Sequence, residues 1–188
     1  MTQRLTVILI VSVFVGCGLS PAAKERRAAD TQRRADHIAK LKSYVPAHLL
    51  KTVDPEFYSY PGFRDWWRFP LTYPYSIQCI DTFESGDLCR HDGKSNISDG
   101  EEAQIQGLSA LTAFSFDARY LVGLTDIEGT HSKTGSRIFK WVLIEFATGE
   151  IDSFESEEGL ATAAKARGYS GDMELEDVKT RYEECFEG

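Results

Sequence analysis

The chain has 188 residues, 42% of them apolar and 27% charged, and a formal net charge of −8. That length and apolar content supply material for one hydrophobic core rather than two. The acidic balance argues against a nucleic-acid partner, because phosphate binding requires a concentrated positive face.

The charge is unevenly spread: Ala22 to Asp54 carries eight Lys and Arg against four Asp and Glu, whereas Glu150 to Gly188 carries four against twelve. Ahead of the basic stretch, Met1-Thr2-Gln3-Arg4 leads into an apolar run, Leu5 to Val15, broken by Thr6 and Ser12 and followed by Gly16-Cys17-Gly18. A cationic start and an apolar run of this length have the architecture of a secretory signal, and the run is too short for an ordinary spanning helix. Residues 1–16 therefore read as a signal peptide. Phe14-Val15-Gly16-Cys17 resembles the lipobox of bacterial lipoproteins. The resemblance implies that Cys17 is lipidated, becomes the mature N-terminus and tethers the protein to a membrane. Gly18 then implies the outer membrane, with the protein facing the periplasm. Lys24, Arg26, Arg27, Arg33 and Arg34 oppose this reading, since a positive-inside count would hold their side in the cytoplasm; the alternative is an uncleaved anchor.

Ala22 to Lys42 is rich in Ala, Lys, Arg and Gln with few large apolar residues, which predicts a solvated helical stalk. Residues 17–54 are then lipidated N-terminus and stalk, and residues 55–188 a single domain. From Phe57 to Tyr75 nine of nineteen residues are aromatic, interleaved with Pro61, Gly62, Pro70 and Pro74. That proline density excludes a long helix and predicts a folded loop with edge-strand pieces. Trp66 and Trp67, with Phe63, Arg64, Asp65 and Arg68, form a candidate surface for stacking a sugar or anchoring a protein partner, because Trp and Arg concentrate binding energy; the alternative is that the segment folds over the sheet as core. Neighbouring residues of a strand point to opposite faces, so at most one of the two tryptophans should be exposed.

Tyr75, Ile77 and Cys79 alternate with Ser76 and Gln78, the period of a half-buried strand. His91 to Gln106 reads as an exposed polar loop. Leu111 to Phe116 and Tyr120 to Leu124 flank a turn at Asp117-Ala118-Arg119, predicting a hairpin. After a polar turn region, Asp126 to Arg137, the nearly continuous apolar run Ile138 to Phe146 suits a central strand, and Ala147-Thr148-Gly149-Glu150 turns into a short strand, Ile151 to Phe154. Ser156, followed by Glu157 and Glu158, predicts a capped helix start, and Gly168 its end. A last helix over Met173 to Phe186 places Leu175, Val178, Tyr182 and Phe186 on one stripe. The expected class is α+β: an antiparallel sheet with C-terminal helices packed on one side.

Setting Cys17 aside leaves Cys79, Cys89 and Cys185. In an oxidising periplasm Cys79 and Cys89 are the first candidates for a disulfide across Glu84-Ser85-Gly86-Asp87; the alternative is two buried thiols. Neither these cysteines nor His91 has paired-ligand spacing, so no metal site is expected.

Tyr75 to Asp81, Phe116 to Val122, Trp141 to Glu150 and Phe154 to Glu158 occur in an order that resembles small bacterial lipoproteins containing a domain of unknown function. The likeness covers residues 75–158, rests on turn and cap signals, and implies no activity, cofactor or catalytic residue. The sequence contains no His-Glu-x-x-His, Gly-x-Ser-x-Gly or phosphate-binding loop. His91 and His131, each near acids, are candidate general bases, but no nucleophile accompanies them. The expectation is a non-catalytic, membrane-tethered envelope module that binds a protein partner, in its sharpest form an immunity protein neutralising a toxin. A glycan- or peptidoglycan-binding module and an enzyme with a loop histidine base are the alternatives.

Overall fold

In the computed structural model, which describes residues 20–93, 97, 103–105, 108, 110–126 and 138–186, the first element is the helix α1 (Pro21–Ser43). Ser20 caps it, its hydroxyl accepting the Ala23 N–H at 3.2 Å, and Pro21 stands in the first turn, where its missing N–H costs nothing. The first half of α1 is largely exposed; the second half is no stalk. Arg34, His37, Ile38 and Leu41 recur on one stripe, and Leu41 is fully buried. That stripe docks onto the domain: Arg34 donates to the Ser59 carbonyl and lays its guanidinium 4.8 Å from the centre of the Phe186 ring, and the His37 ring lies 5.4 Å from Phe69. A contact surface built from long polar side chains hides its apolar stems from any hydrophobicity count. No helix among the described residues is long and apolar enough to cross a membrane.

The described strands form two five-stranded antiparallel sheets. The first contains β1 (Gly62–Phe63), β2 (Trp66–Pro70), β3 (Tyr75–Ile80), β4 (Asp87–Arg90) and β5 (Ala103–Gln104), paired in chain order. The second runs in the order β10 (Glu176–Asp177), β6 (Leu111–Phe116), β7 (Tyr120–Asp126), β8 (Phe139–Glu145) and β9 (Ile151–Phe154). They pack face to face around one core, to which β2 and β3 bring Phe69, Ile77 and Cys79 and the second sheet brings Phe114, Leu121, Val142 and Ile144. The class is α+β, as expected, but the layering differs from one sheet with helices on one side. Helix α2 (Glu157–Ala166) covers the outer face of the second sheet, where Leu160 and Ala164 meet Tyr120, Val122 and Leu143. The end of α1 and the 3-10 turn Pro55–Tyr58 bring Leu41, Phe57 and Tyr58 into a second cluster with Val45 and Ile97, and Phe57 lies over Arg68 of β2 on the outer side of the first sheet. Helix α3 (Val178–Phe186) packs beside both sheets, with Val178 and Cys185 in the central core.

Local signals hold where the chain closes its own hydrogen bonds. The Ser156 hydroxyl accepts the Gly159 N–H at 3.2 Å to start α2, and Gly168 takes φ +77° just beyond its end. The final helix is shorter than expected: Glu176 and Asp177 pair with Phe114 and Ala113 as strand β10, and Asp177 then caps α3 by accepting the Thr180 N–H at 2.9 Å and its hydroxyl at 2.7 Å. Met173 and Leu175 accordingly join the layer under α2 rather than the α3 stripe.

Asp117 ties three segments together. One carboxylate oxygen accepts the N–H groups of Arg119 and Tyr120 at 2.7 and 2.8 Å, closing the β6–β7 turn; the other accepts the N–H and hydroxyl of Ser170 at 2.7 and 3.0 Å, fixing the segment after α2. Burial pushes this carboxyl up, but the hydrogen bonds from Ser170, Arg119 and Tyr120 outweigh burial and hold it below its ordinary value.

Candidate binding surface

Two exposed large apolar side chains, Phe63 and Ile80, lie on the first sheet, on β1 and at the end of β3. Gly62 sits at φ +103°, and a Cβ there would fall 2.1 Å from the Trp66 carbonyl oxygen, so only glycine lets the strands close. The turn that follows holds Arg64 at φ 60°. Phe63 then lies opposite Trp66, and Trp66 opposite Ile80, so register aligns the three in a row across β1, β2 and β3. Phe63 is 62% exposed and Ile80 63%. Trp66 between them is half-buried, braced by Tyr60 at 5.7 Å between ring centres and by its indole N–H donating to Gln78 Oε1 at 3.1 Å. Arg64 stacks 5.0 Å from the centre of the Phe63 ring, and Asp65 and Asp81 complete a charged rim.

Backbone strain concentrates beside this row. Among the described residues three that are not glycine have positive φ, Arg64, Asp81 and Ala110, and the first two flank it. Such conformations cost about 1–3 kcal/mol each and gather at functional surfaces. The Asp81 N–H donates to the Asp65 carbonyl at 2.8 Å, locking the two strained turns to each other. Aromatic and aliphatic side chains thus stand together at the surface inside a charged rim.

The expected surface is partly relocated. Trp66 and Trp67 do point to opposite faces: Trp67 turns inward against the core and lies 4.3 Å from Phe83 between ring centres. Arg68 is not a surface residue. It is fully buried, donates from Nη1 to the Phe57 carbonyl at 2.5 Å, and stacks 4.5 Å from the centre of the Phe57 ring, because the 3-10 turn folds over this side of the sheet. Arg64 is exposed, as expected. Phe63 is exposed, as expected, while Ile80 and Tyr60 were missed. Ile80 did leave a signal, since it is an apolar residue out of phase with the Tyr75, Ile77, Cys79 alternation.

The expected Cys79–Cys89 disulfide does not form. Cys89 stands opposite Ser76 in the β3–β4 register, three residues from Cys79, and the odd offset puts the two side chains on opposite faces of the sheet. Both are buried, and burial foremost pushes the Cys79 thiol up to about 12. Iodoacetamide should therefore leave Cys79 and Cys89 unmodified in the native protein and alkylate both after unfolding without reductant; peptide mapping that found them joined would contradict this register.

His91 is buried rather than loop-exposed, its ring 6.2 Å from Phe57 and 6.4 Å from Tyr73 and its backbone N–H donating to the Pro74 carbonyl. Cys17 and His131 lie outside the described residues. Among the described residues no three His, Cys, Asp or Glu side chains gather in an arrangement suited to a metal ion. Fold and surface together define an α+β domain of two packed sheets presenting an apolar row at a strained hairpin. No protein-family model matches the chain, nor does any curated protein or solved structure.

Proposed function

We propose that this chain is a lipid-anchored cell-envelope lipoprotein whose domain is a non-catalytic module binding another protein, with toxin neutralisation by an immunity protein as its sharpest form. The observation that carries the binding role is the Phe63–Trp66–Ile80 row, two of whose members are more than 60% exposed. Apolar side chains held rigidly at the surface, next to strained backbone, are better explained by a partner than by folding. The lipobox-like Phe14 to Cys17 supports the anchor, and the acidic balance of residues 150–188 supports electrostatic steering of a basic partner.

A photo-crosslinking residue placed at position 63 of the full chain should yield a discrete adduct with a second protein in envelope extracts. The double variant Phe63→Ser/Ile80→Ser should weaken capture of that protein on the order of 100-fold while leaving Tm nearly unchanged, since hot-spot residues dominate affinity and these two contribute little to the core. Undiminished capture by the double variant would remove the row from the interface. Recovery of peptidoglycan fragments alone would favour a glycan-binding module. Mass spectrometry of the native N-terminus should find acylated Cys17; a chain that begins at Met1 without an acyl group would overturn the anchor.

A further inference from the structure

On another face of the molecule, α1, the end of β6, the segment after α2 and α3 enclose a cleft of about 450 Å³. Its wall carries charges of both signs: Lys40 and Arg181 against Asp117, Asp172 and Glu176. Most of the acceptors are engaged. Asp117 uses both oxygens on Arg119, Tyr120 and Ser170, and Glu176 Oε2 lies 2.8 Å from Arg181 Nε. One Asp172 oxygen takes the Glu174 N–H at 2.9 Å, which leaves its second oxygen available. Lys40 makes no ion pair among the described residues, and His37 Nε2 is buried there without a hydrogen-bond partner.

A buried ring nitrogen with no partner is costly unless something else satisfies it. Of the five buried side-chain atoms so placed among the described residues, His37 Nε2, Glu176 Oε2 and Arg181 Nε all belong to residues of this cleft; the last two face each other as an ion pair without hydrogen-bonding geometry. Burial, then Lys40 and Arg181, bring the imidazole of His37 down to about 4, so at neutral pH it is uncharged. A simple anion would meet three carboxylates here and a simple cation two cationic side chains; a ligand with both charges at its ends matches both.

We propose that this cleft binds a small zwitterion of the amino-acid or short-peptide class, its carboxylate on Lys40 and its ammonium group on Asp172. Such a site is independent of the Phe63–Trp66–Ile80 row and of the protein partner proposed for it. Pockets of this volume suit ligands of that size.

Calorimetric titration of the full chain tests this with three probes: Ala-Ala with free ends, N-acetyl-Ala-Ala, and Ala-Ala-amide. Ala-Ala should bind saturably, and each blocked form about tenfold or more weaker, the loss expected when one charged hydrogen-bonded contact is removed. Lys40→Gln should weaken Ala-Ala about tenfold and Lys40→Arg much less, with Asp172→Asn lowering affinity to a similar degree. Absence of saturable binding at millimolar Ala-Ala would overturn the proposal, as would equal binding of the free and blocked dipeptides. The Phe63→Ser/Ile80→Ser chain should bind Ala-Ala normally, which separates failure of this site from failure of the protein-binding row.

Discussion

Replacing Arg68 by alanine should destabilise the protein by about 3–5 kcal/mol, with Tm falling by roughly 10 °C, whereas Arg64→Ala in the same segment should cost less than about 0.5 kcal/mol. The two arginines are four positions apart and have opposite environments. Arg68 is fully buried, and its guanidinium both donates to the Phe57 carbonyl and stacks on the Phe57 ring, fastening the 3-10 turn to the outer face of the first sheet. Truncation leaves a void and a carbonyl without that donor, the combination with the largest penalties in a core. Lysine should not restore the loss, because an ammonium offers no planar face to stack on the ring. Urea unfolding of both variants is the measurement. Equal, small effects would mean that Arg68 is solvated and that the 3-10 turn does not cover it.

Asp117→Ala should cost about 3 kcal/mol at pH 7, since four hydrogen bonds to one carboxylate are lost and three N–H groups are left to find other partners. The sign of the pH dependence follows from the carboxyl being held below its ordinary value. A group depressed in the folded state contributes its full stability above the unfolded carboxylate pKa of about 3.9 and loses it as the pH falls through the lower folded value. The gap between wild type and Asp117→Ala should therefore be constant from neutral pH to about pH 5 and shrink below about pH 4. Asp117→Asn should sit between them, because one amide oxygen can still accept the Arg119 and Tyr120 N–H groups while the Ser170 side gains a donor in place of an acceptor. Unfolding curves at pH 7 and pH 3 decide it; a gap that widens on acidification would contradict the hydrogen-bond assignment.

Several elements could be read directly because their cause is local. The start of α2 needs Ser156 and the two glutamates after it, its end needs Gly168, and the β6–β7 hairpin needs the Asp117 turn; each bonds within a few residues of itself. Alternation also predicted that Trp66 and Trp67 face opposite ways, which the β2–β3 register bears out. The candidate surface was only half legible. Phe63, Arg64 and Trp66 were in view, but Ile80 comes from the third strand, and only strand register puts it in one row with Phe63 and Trp66.

What the amino-acid order determined alone was the α+β class, the positions of β3 and of β6 to β9, the caps of α2 and the opposed directions of the two tryptophans, all set by backbone hydrogen bonding and side-chain periodicity over short spans. Tertiary structure decided which face of each strand is covered, and by what. A polar helix became a docked one through Arg34, His37 and Leu41. An arginine expected at the surface became an interior fastener, and two cysteines ten positions apart were turned away from each other. The physical reason is that periodicity tells a residue which side of its own strand or helix it occupies, while burial depends on a second layer whose position is set by residues far along the chain.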